Sequence, residues 1–149
     1  MCLIASHIKP KVAEEDIVCY KILQVYSDKI CSPYMEYKWK LGKVRRAWGW
    51  WNIPRNPDIE GIQKGCFHSF ETLDDAVSEA RVARGNLYVY ECVIPKGTKY
   101  WAGTYSRMRI PSYASRKLKV VKKIEIDVPK LHELPLIQQL LDALEEKLR

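Results

Sequence analysis

The apolar positions of this chain fall into runs of two kinds. Ile17–Tyr26, IVCYKILQVY, and Leu87–Ile94, LYVYECVI, are nearly continuous apolar and aromatic stretches with β-branched residues among them. Such runs predict strands covered on both faces, and therefore central in a sheet. Lys21 and Gln24 are the polar exceptions in the first run. Lys117–Val128 alternates instead. Leu118, Val120, Ile124, Ile126 and Val128 face one way, and Lys119, Lys123, Glu125 and Asp127 face the other, which predicts a strand with one wet face. Lys122 falls on the apolar side of that pattern, at a rim or gap.

The segments between these runs carry local signals. Gly65–Phe70 reads as a short strand leaving a glycine turn. Thr72 and Asp75 have the spacing of a capping box, and Leu73, Ala76, Val77, Ala80 and Ala83 form a small-residue stripe at helical spacing. Arg81 and Arg84 suit the helix end, with Gly85 as the residue that stops it. Pro95-Lys96-Gly97-Thr98 is a tight turn, after which Lys99-Tyr100-Trp101 is extended. Residues 104–116 read as irregular, broken at Pro111. Pro135 opens a last helix with Ile137, Leu140, Leu141, Leu144 and Leu148 on one side, covering the core or joining a homodimer. Residues 1–16 read as an arm or first strand. The order of elements predicts an α+β fold: a single domain over residues 1–149, with a mainly antiparallel sheet, one central helix packed on it and an amphipathic helix over 135–149.

Composition narrows the function classes. The chain has 149 residues, 47% of them hydrophobic and 29% charged, which is globular and long enough for a real core. A net charge of +7 permits an anionic partner without requiring one. The five cysteines, Cys2, Cys19, Cys31, Cys66 and Cys92, are odd in number and widely spaced, with no C-x-x-C. That argues against a disulfide framework and a structural metal, and for a reducing, cytoplasmic setting. Cys19 and Cys92 read as small buried hydrophobes within their strands. The opening MCLIASHIKPKV is too short for a signal core, and no run approaches the ~20 apolar residues of a membrane helix.

The compositional oddity is Met35–Arg55, MEYKWKLGKVRRAWGWWNIPR. No acidic residue occurs from Tyr37 to Pro57, while lysines and arginines interleave with Trp39, Trp48, Trp50 and Trp51. One reading is a twisted hairpin, with Lys38 and Lys40 on one face and Tyr37, Trp39 and Leu41 on the other. In the other, cations neutralise phosphates beside aromatics that stack bases, as a single-strand nucleic-acid binder requires. Trp48, Trp50, Trp51, Lys43, Arg45 and Arg46 are thus the candidate ligand-binding residues. Their ligand is a protein or an anionic small molecule held between this segment and the Gly65–Phe70 strand, with nucleic acid as an alternative.

Catalytic signals are sparse. No phosphate loop, dinucleotide fingerprint or metalloprotease motif is present. Cys66 and His68 stand two apart on an extended chain and point the same way, without a third group to orient the imidazole. Neither a metal nor a cofactor is called for.

The layout Tyr20-Lys21, Ser32-Pro33-Tyr34, Gly65-x-x-His68-x-Phe70, Glu91-Cys92-Val93-Ile94-Pro95-Lys96-Gly97-Thr98 and Tyr113-Ala114-Ser115 resembles a family of small proteins from gut bacteria and their phages. The resemblance covers roughly residues 17–120 and implies no activity. The glycine, short aromatic strand, small-residue helix and strand ending in a glycine turn are also similar to the central part of ADP-ribosyltransferase-like folds. That similarity implies an NAD-binding protein in which Tyr20 or His68 holds the nicotinamide side. The loop Tyr113-Ala114-Ser115-Arg116-Lys117 lacks the acid that such enzymes carry there; Glu91 lies in an earlier strand and Glu125 deep in the last. His68, Tyr20 and Glu91 are therefore the catalytic candidates.

Overall fold

The computed structural model describes residues 3–7, 9–27, 29–32, 38–47, 66–83, 86–106, 108–125 and 135–148. In the last of these segments the side chains described are 136, 140, 141 and 143–148. The strands are β1 (Leu3–Ala5), β2 (Lys11–Val12), β3 (Ile17–Tyr26), β4 (Lys29–Cys31), β5 (Lys38–Trp39), β6 (Val44–Arg46), β7 (Phe67–Phe70), β8 (Leu87–Ile94), β9 (Lys99–Tyr105), β10 (Ile110–Ser115) and β11 (Lys117–Lys123). The helices are α1 (Leu73–Val82) and α2 (Pro135–Leu148). Every described strand pair is antiparallel. The fold is α+β, mostly antiparallel sheet, with one helix central in the chain and one at its C-terminal end.

The sheet runs β1-β9-β10-β7-β3-β8-β11-β6, with β2 on β9, β4 on β3 and β5 on β4. Only Arg116 separates β10 from β11. The path β10-β7-β3-β8-β11 therefore returns to the run of chain on which it began, and the sheet closes into a roll. Its inner face is the largest core cluster. Cys19 and Leu23 of β3, Trp39 of β5, Phe67 of β7, Tyr90, Cys92 and Ile94 of β8, and Leu118 and Val120 of β11 meet there, with Tyr100 and Tyr113 packed against them. On the outer face, Leu3, Ala5, Trp101 and Ala114 form a second cluster. A third forms under α1, where Ala76 and Ala80, both fully buried, meet Phe70, Val89 and Ile110. As their continuous apolar runs require, β3 and β8 are central: β3 lies between β7 and β8, and β8 between β3 and β11.

The helix start follows the capping pattern. The Thr72 hydroxyl accepts the Asp75 N–H at 3.2 Å and donates to the Asp75 carboxylate at 2.7 Å. Asp75 thus braces the cap oxygen rather than reaching back to the Thr72 backbone. Thr72→Ala should lower stability by about 1 kcal/mol, read from urea unfolding, while Thr72→Ser should restore most of it. Gly85 lies outside the described residues. The turn after β8 is type II: the Thr98 N–H bonds the Pro95 carbonyl at 3.1 Å, and Gly97 takes φ of 84°.

Four expectations are corrected, while that of a first strand within residues 1–16 holds, since β1 and β2 both pair with β9. Gly103 makes the first pairing close: a Cβ there would stand 2.0 Å from the Ile4 carbonyl oxygen. Residues 110–115 form a strand despite Pro111. The Pro111 carbonyl accepts the Glu71 N–H at 3.1 Å, so its nitrogen faces the same neighbour, just past the last β7 pair, where no donor is missed. In β11 the register slips between Val120 and Lys122, so Lys122 opposes Glu91 and lies on the outer face with Lys119. The bulge shifts the side-chain phase by one, and Ile124 accordingly joins the cluster under α1 instead of Leu118 and Val120. The segment read as a hairpin places β5 against β4 and β6 against β11, with Leu41 exposed in the turn between them. Finally, the described leucines of α2 do not cover a core, since Leu140, Leu141, Leu144 and Leu148 are exposed by 49–84%.

Candidate functional site

The roll brings polar groups onto its inner face in register. Across β3 and β8, Cys19 opposes Cys92 and Lys21 opposes Tyr90. Across β3 and β7, Tyr20 opposes Phe70, which sets Lys21 beside Ser69. Across β7 and β10, Ser69 opposes Tyr113 and Phe67 opposes Ser115. Lys21, the polar interruption of an apolar run, thus stands in the middle of a cross-strand row between Ser69 and Tyr90.

The Lys21 ammonium donates to the His68 backbone carbonyl at 2.6 Å. Among the described residues it forms no ion pair with a carboxylate. Burial lowers its pKa from 10.5, opposed by the neighbouring Cys92 and Cys19. The thiols respond in the opposite sense. Burial raises Cys19 to about 11, which Ser69 and Lys21 only partly offset, and it raises Cys92 well above 9.0. Burial also raises Tyr113 to about 12, reinforced by Glu71 and Cys19. The two cysteines stay protonated at neutral pH, so neither is a ready nucleophile.

Two hydroxyls on this face are left over. Ser69 and Ser115 are fully buried, and their Oγ atoms reach no hydrogen-bond partner among the described residues. Ser69 acts on Cys19 through proximity, not through a formed bond. A buried hydroxyl without a partner costs about 1–3 kcal/mol, so two on one face, with Ser69 beside Lys21, are a specific expense. Arg45 opposes Leu118 and therefore shares the inner side, where its Nη2 donates to the Lys38 carbonyl at 3.2 Å. The inner face carries cationic and hydroxyl donors.

The sequence-derived candidates divide accordingly. Tyr20 and Glu91 are directly opposed across β3 and β8 on the outer face. His68 is on the same face, two residues from Phe70, but is 8% exposed and opposes Ala114 beside the Leu3–Trp101 cluster. Tyr20 packs into the cluster covered by α1. Burial raises Cys66 to about 11, and the cation acting on it is Arg116. Lys43 and Arg46 are exposed, and Arg46 opposes Lys117. Trp48, Trp50 and Trp51 lie outside the described residues. Trp39 is core: it is 4% exposed, its Nε1 donates to Ser32 Oγ at 2.8 Å, and its ring meets Phe67 at 4.6 Å. In the sequence Lys21 stands out as a polar interruption with no evident role, and Ser69 and Ser115 carry no distinguishing signal.

An open cleft of ≈ 760 Å³ lies elsewhere, beside Lys11, Glu14, Glu15, Asp16 and Tyr100. Its three acids repel an anion. Among the described residues no group of three or more His, Cys, Asp or Glu could hold a metal. No helix among them is long and apolar enough to cross a membrane.

The fold and site define a class: an α+β protein whose antiparallel sheet rolls around a mainly apolar inner face interrupted by Lys21, Ser69 and Ser115. Compared with family models, curated proteins and solved structures, the chain matches none.

Proposed function

We propose that this chain is a binding domain for a small anionic molecule, held on the inner face of the roll with Lys21 as its cationic anchor. One observation carries the reading: a half-buried lysine ammonium on the inner side of the sheet, bonded to a backbone carbonyl, with no carboxylate to balance it among the described residues. A carboxylate or phosphate group supplies the missing charge, and the Ser69 and Ser115 hydroxyls supply donors that otherwise go unused. The domain works in a reducing compartment such as the cytoplasm. Cys19 and Cys92, facing each other across adjacent strands, remain free thiols, which supports that setting.

The test is a thermal-shift panel of inorganic phosphate, citrate, AMP and NAD, each at ~10 mM. A ligand at 100 times its Kd adds about 2.7 kcal/mol. At least one of these anions should raise the melting temperature, and Lys21→Met should abolish the rise while Lys43→Ala leaves it intact. No rise with any of the four, or a rise indifferent to Lys21→Met, would remove this reading. A rise with NAD alone that is lost in both Tyr20→Ala and His68→Ala would favour the nicotinamide site instead.

A further inference from the structure

A surface separate from the inner site lies on the outside of the roll, next to the bulge in β11. Outside the roll, Val18 opposes Val93, Val93 opposes Lys119, and Lys119 opposes Val44, forming one row across β3, β8, β11 and β6. Val18 and Val44 are each 50% exposed. Beside the row, Lys117 directly opposes Arg46. Like charges facing each other across strands are destabilising unless something negative lies over them. On the other side the slipped register turns Lys122 onto this face, where Glu91 opposes it. The patch therefore carries three valines and Lys119 along its centre, with mainly cationic margins. Valines suit a packed side chain better than a nucleotide base, which needs an aromatic platform.

What fits such a patch is an amphipathic helix with leucines on one face and acids beside them, and this chain contains one. Leu136, Leu140, Leu141, Leu144 and Leu148 of α2 are all exposed, by 49–84%, and Glu145 borders their stripe. At 14 residues α2 is about 21 Å long, enough to cover a row of four strands spaced ~4.8 Å apart. In the single chain both surfaces stand open together, so its own helix does not lie on its own valines.

We propose that α2 of a second copy docks on the Val18–Val93–Lys119–Val44 face, and that two copies exchange helices about a two-fold axis. The exchange repeats the contact, which is how a modest helix-on-sheet surface becomes a closed interface. Glu145 meets the Lys117–Arg46 pair, and the leucines cover the valines.

Sedimentation velocity on the full chain from ~5 to ~200 μM tests this. The chain should pass from 17.4 kDa to twice that mass within the range. Leu141→Glu with Leu144→Glu should weaken dimerisation at least ~10-fold, and so should Val18→Glu with Val44→Glu. All four residues are exposed, so the melting temperature of the monomer should hold and separate lost association from lost folding. Lys117→Glu should also weaken the dimer, and adding Glu145→Lys should recover part of the loss. A monomer throughout the range overturns the proposal. So does a dimer lost with the leucine changes but indifferent to the valine changes, since that result means helix pairs with helix.

Discussion

Lys21→Met should make the protein more stable at neutral pH, by about 1 kcal/mol, or a rise of roughly 3–4 °C in melting temperature. Two opposing effects set the sign. Methionine removes a charge from half-buried surroundings that solvate it poorly, at similar side-chain volume. It also removes the donor to the His68 carbonyl, which costs about 1 kcal/mol. The first effect is larger because no carboxylate among the described residues balances the ammonium. The pH dependence follows from linkage. The folded-state pKa of Lys21 lies below the ordinary 10.5, so between those two values the unfolded chain binds more protons than the folded one. Wild-type stability therefore rises with pH through that window, and the penalty is complete below the folded pKa. The gain from Lys21→Met should shrink as pH climbs from 7 toward 10.5, read from paired urea titrations in which the other titrating groups are common to both proteins. A variant less stable than wild type at pH 7 would mean that the carbonyl bond outweighs desolvation.

The second large effect belongs to Trp39. Trp39→Ala should cost about 3–5 kcal/mol, much of the ~5–15 kcal/mol that holds a domain together, and should lower the melting temperature by more than about 10 °C. The ring is almost fully buried against Phe67, so β5 loses its hold on the inner core. Trp39→Phe keeps an aromatic contact while giving up the indole N–H bond to Ser32. It should cost no more than about 1–2 kcal/mol in the same thermal scan. If alanine at Trp39 left stability intact, this tryptophan would be surface rather than core.

Those two residues also mark how far the sequence could be read. The central strands were legible because an uninterrupted apolar run has few other places to go, and the helix start because Thr72 and Asp75 form a local device. Strand β10 was hidden by Pro111, which reads as a breaker unless one knows that its nitrogen faces the end of β7. The phase of β11 was hidden too: a bulge after Val120 depends on what β8 offers opposite it, and no local pattern in Lys117–Lys123 encodes that. The site suffered most. Interleaved tryptophans and arginines look alike whether they face solvent or core, and only the register separates Arg45, inside, from Arg46, outside. Ser69 and Ser115 are ordinary serines until closure of the roll leaves their hydroxyls without partners.

That closure also bears on how the chain reaches its native state. Strand β3 is synthesised early, yet its principal partner β8 begins some 60 residues later, and β1 must wait about 100 residues for β9. The ring is complete only when Lys123 has been made, because the run from Ile110 to Lys123 supplies both of its last walls. Contacts so distant in sequence give slow, millisecond-to-second folding. Until then the apolar run of β3 lacks its partner strand, so the interval before Lys123 is made is when aggregation competes with folding.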